Sequence, residues 1–208
     1  MIQKDFLNRI KNQLGVTWDE LAKLSGINPR AMKSYRMPSD SRGYRPMPET
    51  ARNMLEQLVQ GRDLISQANI RGFYKTSTML YEEKLRAKRP FDPTYVAPYV
   101  VNTVFVCELC LKLLITRGGD SFIKTHDIMK LLNQLSALPY FSNIKDSMYQ
   151  KIQDAHDDKD TNWCEENLIL IDKAFIKWRY LNDPNKFSIH INFVKIMTEF
   201  LVNECLDD

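Results

Sequence analysis

Three groups of side chains have the types and spacing to do chemistry. The first is Asn28-Pro29-Arg30 with Lys33 and Ser34. On a short helix beginning at Pro29, the residues Arg30, Lys33 and Ser34 project from one outward face, which suits entry into a DNA major groove. Arginine can hold guanine through two hydrogen bonds, and Lys33 can serve a base or a phosphate. Asn28 stands at the helix start, where amides and dipole favour a phosphate. Arg36, Arg42 and Arg45 add cations around it. The two loop residues, Arg42 and Arg45, are either phosphate contacts or solvated surface charges. The second group is Cys107-x-x-Cys110. A zinc site needs four ligands, and no second pair has suitable spacing. A redox pair of the thioredoxin kind needs a preceding strand, and none is expected. Buried helical cysteines are the better account, so no metal and no cofactor are expected. The third is His156 within Asp154-Ala155-His156-Asp157-Asp158-Lys159-Asp160, a cation-binding loop or, more simply, a solvated one.

The elements that must carry these residues are helical almost throughout, and an all-α fold is expected. Phe6, Leu7, Ile10 and Leu14 follow helical spacing, and Gly15 stops that helix. Thr17-Trp18-Asp19-Glu20 reads as a capping box opening a second helix, with Leu21, Ala22 and Leu24 as its buried face. Ser25-Gly26-Ile27 is a turn. Asn28 and Pro29 start a third helix running to about Met37. A basic, Pro-rich loop follows at 38–48. A fourth helix, about Glu49 to Gln60, places Met54, Leu55 and Leu58 inward. A separate basic helix is expected from about Asp63 to Lys88, closed by Pro90 and Pro93. Five further helices are expected at Tyr95–Thr116, Asp127–Ala137, Ser142–Ala155, Thr161–Leu181 and Ser188–Leu206, as an antiparallel bundle. The resulting division is 1–61, a 62–94 basic helical linker, and 95–208. The aromatic stripe of Phe175, Trp178, Phe187, Phe193 and Phe200 reads as core or, for part of it, as a dimer face.

Composition narrows the function classes. The chain has 208 residues, 44% hydrophobic and 26% charged, with 7 Gly, which excludes a disordered or fibrous protein. The net charge of +3 is uneven: residues 1–93 carry 17 Lys/Arg against 10 Asp/Glu, and residues 94–208 carry 12 against 16. A basic front half of this kind suits a polyanionic partner. No run approaches the roughly 18 consecutive apolar residues of a membrane span, and no apolar signal core follows the N-terminus. The four cysteines, Cys107, Cys110, Cys164 and Cys205, are few and lie in helical patterns. A cytoplasmic protein with no membrane partner is therefore expected.

Residues 14–28, Leu-Gly-Val-Thr-Trp-Asp-Glu-Leu-Ala-Lys-Leu-Ser-Gly-Ile-Asn, followed by Met32 and Tyr35, resemble the helix-turn-helix domain of the phage-repressor and Cro superfamily, also called the xenobiotic-response-element type. The likeness covers about the first 60 residues. It implies five short helices, operator binding as a homodimer on double-stranded DNA, and base contacts from Asn28, Pro29, Arg30, Lys33 and Ser34. Trp18 stands where many members place Gln.

Residues 95–206 resemble HEPN domains, helical modules of prokaryotic toxins, defence proteins and nucleotidyltransferase partners. The carriers are Glu108-Leu-x-x-Lys112-x-Leu114, the Thr125-His126-Asp127 start with Leu131, and the Phe175 to Arg179-Tyr180 ending. Many such proteins are metal-independent ribonucleases with an Arg followed by His after four to six residues. That spacing is absent: eight residues separate Arg117 from His126 and ten separate Arg179 from His190. His126, Arg179 and Tyr180 remain as a candidate polar cluster. RNA cleavage needs a base for the 2′-hydroxyl and a cation for the phosphate, which His126 and Arg179 would supply if the fold joined them. Alternatively, His126 caps or staples its helix, and Arg179 pairs with Glu108. Glu108 and Lys112 are spaced for a helical ion pair.

Three functions follow. The first is a DNA-binding transcriptional regulator of prokaryotic or phage type, whose HEPN-like bundle dimerises or senses an RNA or protein partner. The second is a HEPN-type ribonuclease with an atypical site. The third is a non-catalytic protein-binding adaptor.

Overall fold

The computed structural model describes residues 2–86, 93–156, 159–179 and 189–206, without the side chains of 173–179. The protein is all-α, with no strand among the described residues. The helices are α1 (Gln3–Leu14), α2 (Trp18–Ser25), α3 (Pro29–Tyr35), α4 (Glu49–Met79), α5 (Val96–Arg117), α6 (Ile128–Ser136), α7 (Ile144–Asp154), α8 (Thr161–Arg179) and α9 (Ile191–Leu206). A wider π-helical stretch, Leu80–Arg86, continues α4, and a 3₁₀ turn, Pro93–Tyr95, leads into α5. Two compact units emerge. One comprises Met1–Ile65 and Ile115–Phe122; the other comprises Ser66–Leu114 and Ile123–Asp208.

The first unit forms where punctuation and apolar spacing agree. Gly15 and Gly26 adopt left-handed φ of 61° and 63°, which a residue with a Cβ resists, and so end α1 and α2. Phe6, Leu7, Ile10, Leu14, Leu21, Met32 and Leu55 make one core, flanked by half-buried Ile27, Tyr35 and Leu58. Leu24, expected inside, is 56% exposed. The buried stripe of α2 runs through Leu21, Ala22 and Ser25, and Leu24 lies off it. Met54, also expected inside, is 41% exposed because the inward stripe of α4 runs through Leu55, Leu58 and Val59. Arg117, at the end of α5, donates to Asp63 at 2.9 Å within this unit.

The two helices expected at 49–60 and 63–88 are one as far as residue 79, and residues 87–88 lie outside the described residues. α4 runs unbroken through Gly61. No Pro interrupts this stretch, and one interior glycine costs a helix only about 1 kcal/mol. The compact units divide within α4, between Ile65 and Ser66.

In the second unit α6, α7, α8 and α9 pack around buried Leu131, Leu135, Met148, Ile152, Leu168 and Met197. The Pro93–Arg117 stretch is long and apolar enough, by length and composition, to cross a bilayer, yet 67% of its most apolar window is buried inside the fold, as in a core helix. Phe193 is buried and Phe200 half-buried, while Phe175, Trp178 and Phe187 lie outside the described side chains.

Candidate functional site

The capping box of α2 is formed. The Thr17 amide donates to Glu20 Oε2 at 2.7 Å, and the Glu20 amide donates to Thr17 Oγ1 at 3.3 Å. Asn28 caps α3, its Oδ1 accepting from the Arg30 amide at 2.9 Å. Met32 is buried and pins α3 against the core. That leaves Asn28, Pro29, Arg30 and Lys33 exposed and Ser34 half-buried. α3 carries no acidic residue, so the charged side chains it presents, Arg30 and Lys33, are both cationic.

The surrounding cations are held in different ways. Arg36 ends α3, half-buried, with its guanidinium carbon 4.4 Å from the centre of the Trp18 ring. Lys11 approaches the same indole at 5.8 Å. The indole therefore orients one of the cations expected at the nucleic acid. Arg42 and Arg45 are exposed on the loop after α3. Gln3 ties that loop to α1. Its Nε2 donates to the carbonyls of Tyr35 and Arg45 at 2.8 and 3.0 Å, and its Oε1 accepts from the Met47 amide at 2.7 Å. Nothing in the sequence marks Gln3, because a glutamine in a first helical turn is ordinarily solvated.

A polar cluster forms separately in the second unit. Glu108 sits on α5 with its side chain 3% exposed. Its carboxylate accepts from Lys112 Nζ at 2.6 Å and faces His126 Nδ1 at 3.0 and 3.1 Å. An ionised carboxylate only accepts, so this contact places a proton on Nδ1 and leaves Nε2 as the basic nitrogen of the neutral ring. The ring is 61% exposed. This is the arrangement of a carboxylate-oriented general base. The cap of α6 is Asp127 and not His126: Asp127 accepts from the Lys130 amide at 2.9 Å. Asp172, on α8, accepts from the Ile128 amide at 2.9 Å and lies 3.5 Å from the Met129 amide. Burial, followed by the charge of Asp127, pushes the Asp172 carboxyl up to about 6. Burial works against ionisation of Asp127 as well, but hydrogen bonds from Lys130 outweigh it and hold that carboxyl below its usual range. The structure thus joins His126 to Glu108. Arg179 lies at the end of α8, and its side chain and all of Tyr180 are outside the described residues.

The cysteines are buried. Burial pushes the Cys107 thiol up to about 12 and the Cys164 thiol up to about 11, so neither is a thiolate at neutral pH. Among the described residues no group of three or more His, Cys, Asp or Glu could hold a metal ion. His156 is half-buried, 3.3 Å from Asn192 Nδ2, with its ring 5.2 Å from that of Trp163. No protein-family model, curated protein or solved structure matches the chain.

Proposed function

We propose that the chain is a DNA-binding regulator of prokaryotic or phage type, acting in the cytoplasm as a homodimer. In this reading α3 enters the major groove of double-stranded DNA and the second unit dimerises or senses a partner. The observation that carries it is the outer face of α3: Arg30 and Lys33 stand exposed on a helix whose inner side is pinned by Met32, with no acid on the helix. Supporting it are the Trp18-oriented Arg36, the exposed Arg42 and Arg45, and the positive balance of residues 1–93. A dimer suits palindromic sites because two-fold protein symmetry matches two half-sites. Selection of duplexes from genomic DNA with the purified protein tests the reading. One family of sequences should emerge, bound far better than random DNA and weakening steeply as salt rises. Equal binding of selected and random duplexes at moderate salt would sink it.

The Glu108-oriented His126 favours a second reading, a HEPN-type ribonuclease with an atypical site. It requires metal-independent cleavage of single-stranded RNA that is lost in His126→Ala. Intact RNA after incubation with the wild-type protein excludes it.

A further inference from the structure

A concave surface around Tyr74 belongs to neither site. Two open cavities in the second unit, of about 430 and about 410 Å³, are both lined by Tyr74 and Asn203. Each volume lies within the range of small-molecule pockets, roughly 300–1,000 Å³. Arg71 and Lys75 of α4 border the first, and Lys151 of α7 borders the second. All three are exposed, and among the described residues none has an ion pair or a side-chain hydrogen bond. The Asn203 amide is likewise unengaged among them. Among the described lining residues the acid is Glu199, on the second cavity, which accepts from Lys195 at 2.6 Å. Met79, Val202 and Leu206 supply an apolar wall to the first cavity.

A single solvated Arg or Lys is ordinary. Arg71 and Lys75 on the partly apolar first cavity, with no acid among its described lining residues, raise a positive potential that low-dielectric walls concentrate. An anion would relieve it, and the Asn203 amide and Tyr74 hydroxyl offer neutral donors beside the cations. Burial, followed by the charge of Glu199, raises the Tyr74 pKa, so its hydroxyl remains a donor at neutral pH. The apolar wall favours a ligand with more than a bare charge. We propose that this first cavity binds an amphipathic anion, its phosphate or carboxylate head held by Arg71 and Lys75 and its apolar body laid on Met79, Val202 and Leu206.

The probe is 1-anilinonaphthalene-8-sulfonate, titrated by fluorescence into the 208-residue chain. Saturable binding at one site is expected. Arg71→Ala and Lys75→Ala should each weaken it by about three- to tenfold, the net scale of one hydrogen bond exchanged with water. Asn203→Trp, at an exposed position, should block the cleft without disturbing the core. Lys130→Ala, away from the cleft, should bind as wild type. Circular dichroism melts check that each variant remains folded. Decanoate and adenosine monophosphate then compete with the probe. Displacement by decanoate identifies a carboxylate on an aliphatic chain, and displacement by adenosine monophosphate identifies a nucleoside phosphate. The proposal is overturned if binding does not saturate, if the folded double variant of Arg71 and Lys75 binds as wild type, or if neither competitor displaces the probe. It is also overturned if inorganic phosphate competes as well as the amphipathic anions, because the apolar wall would then contribute nothing.

Discussion

His126 turns Nδ1 onto the carboxylate of Glu108 at 3.0 Å, joining a ring that is 61% exposed to a carboxylate that is 3% exposed. The two partners therefore carry unequal energetic weight. Glu108 also holds Lys112 at 2.6 Å, and the Lys112 side chain is itself only 19% exposed. Removing the carboxylate takes the Glu108 charge away from an ammonium that is largely sheltered from water. Glu108→Ala should cost about 2–3 kcal/mol, at or below the usual toll of breaking a buried pair because Lys112 still reaches water. His126→Ala should cost about 1 kcal/mol or less, the net scale of a hydrogen bond from an exposed ring. Urea denaturation of the two variants compares them directly. Equal losses would mean that Glu108 does not anchor the cluster.

On the nucleic-acid side, the cations should separate into two classes. Arg30 projects from α3, whereas Arg42 and Arg45 lie on the loop tied down by Gln3. Arg30→Ala should weaken the selected duplex by about 1–3 kcal/mol and leave random DNA nearly unaffected, as expected for a base contact. Arg42→Ala should weaken both alike and reduce the salt slope by about 1, as expected for a phosphate contact. Fluorescence anisotropy across a salt series reads both quantities. If Arg30→Ala behaves like Arg42→Ala, α3 carries charge to the DNA without reading it.

Local signals were the legible part of this chain. The Thr17–Glu20 box, the Gly15 and Gly26 stops and the Asn28-Pro29 start depend on residues within four positions of each other, and all appear in place. The joining of α4 through Gly61 was not legible, because a glycine ends some helices and merely weakens others. The exposure of Leu24 was missed for a related reason: an eight-residue helix offers too few apolar positions to fix its inward face by periodicity. The long-range partners were beyond sequence reading. Asp172 meets the α6 amides across 44 residues, and Gln3 meets Met47 across an equal separation. Each looks in sequence like any solvated polar side chain.

The Asp172 contact gives a pH signature. Its folded carboxyl titrates near 6, above the ordinary 3.8. The folded state thus holds a proton between those values that the unfolded chain releases. Asp172 contributes stability that is fully present below about 3.8 and is lost as pH rises through about 6. Asp172→Asn cannot titrate at this position. Melting temperatures at pH 7 and pH 5 should show wild type gaining on the variant as pH falls. A constant difference between the two would remove Asp172 from the titration.

Two glycines should respond to the same substitution with opposite signs. Gly26 ends α2 at φ 63° with nothing within 4 Å of the position a Cβ would take. The cost of Gly26→Ala is therefore purely conformational, about 1–2 kcal/mol for a left-handed L-residue. The loss falls on the turn that aims α3, so affinity for the selected duplex should decline with it. Gly61 also has open space around its Cβ direction, but it lies inside α4. Gly61→Ala removes a flexible residue from a helix interior and should gain about 0.8–1 kcal/mol. Urea denaturation midpoints of the two variants, taken on either side of wild type, make the comparison. Two destabilised variants would mean that α4 is not a continuous helix through residue 61, and the divided reading of 49–60 and 63–88 would return.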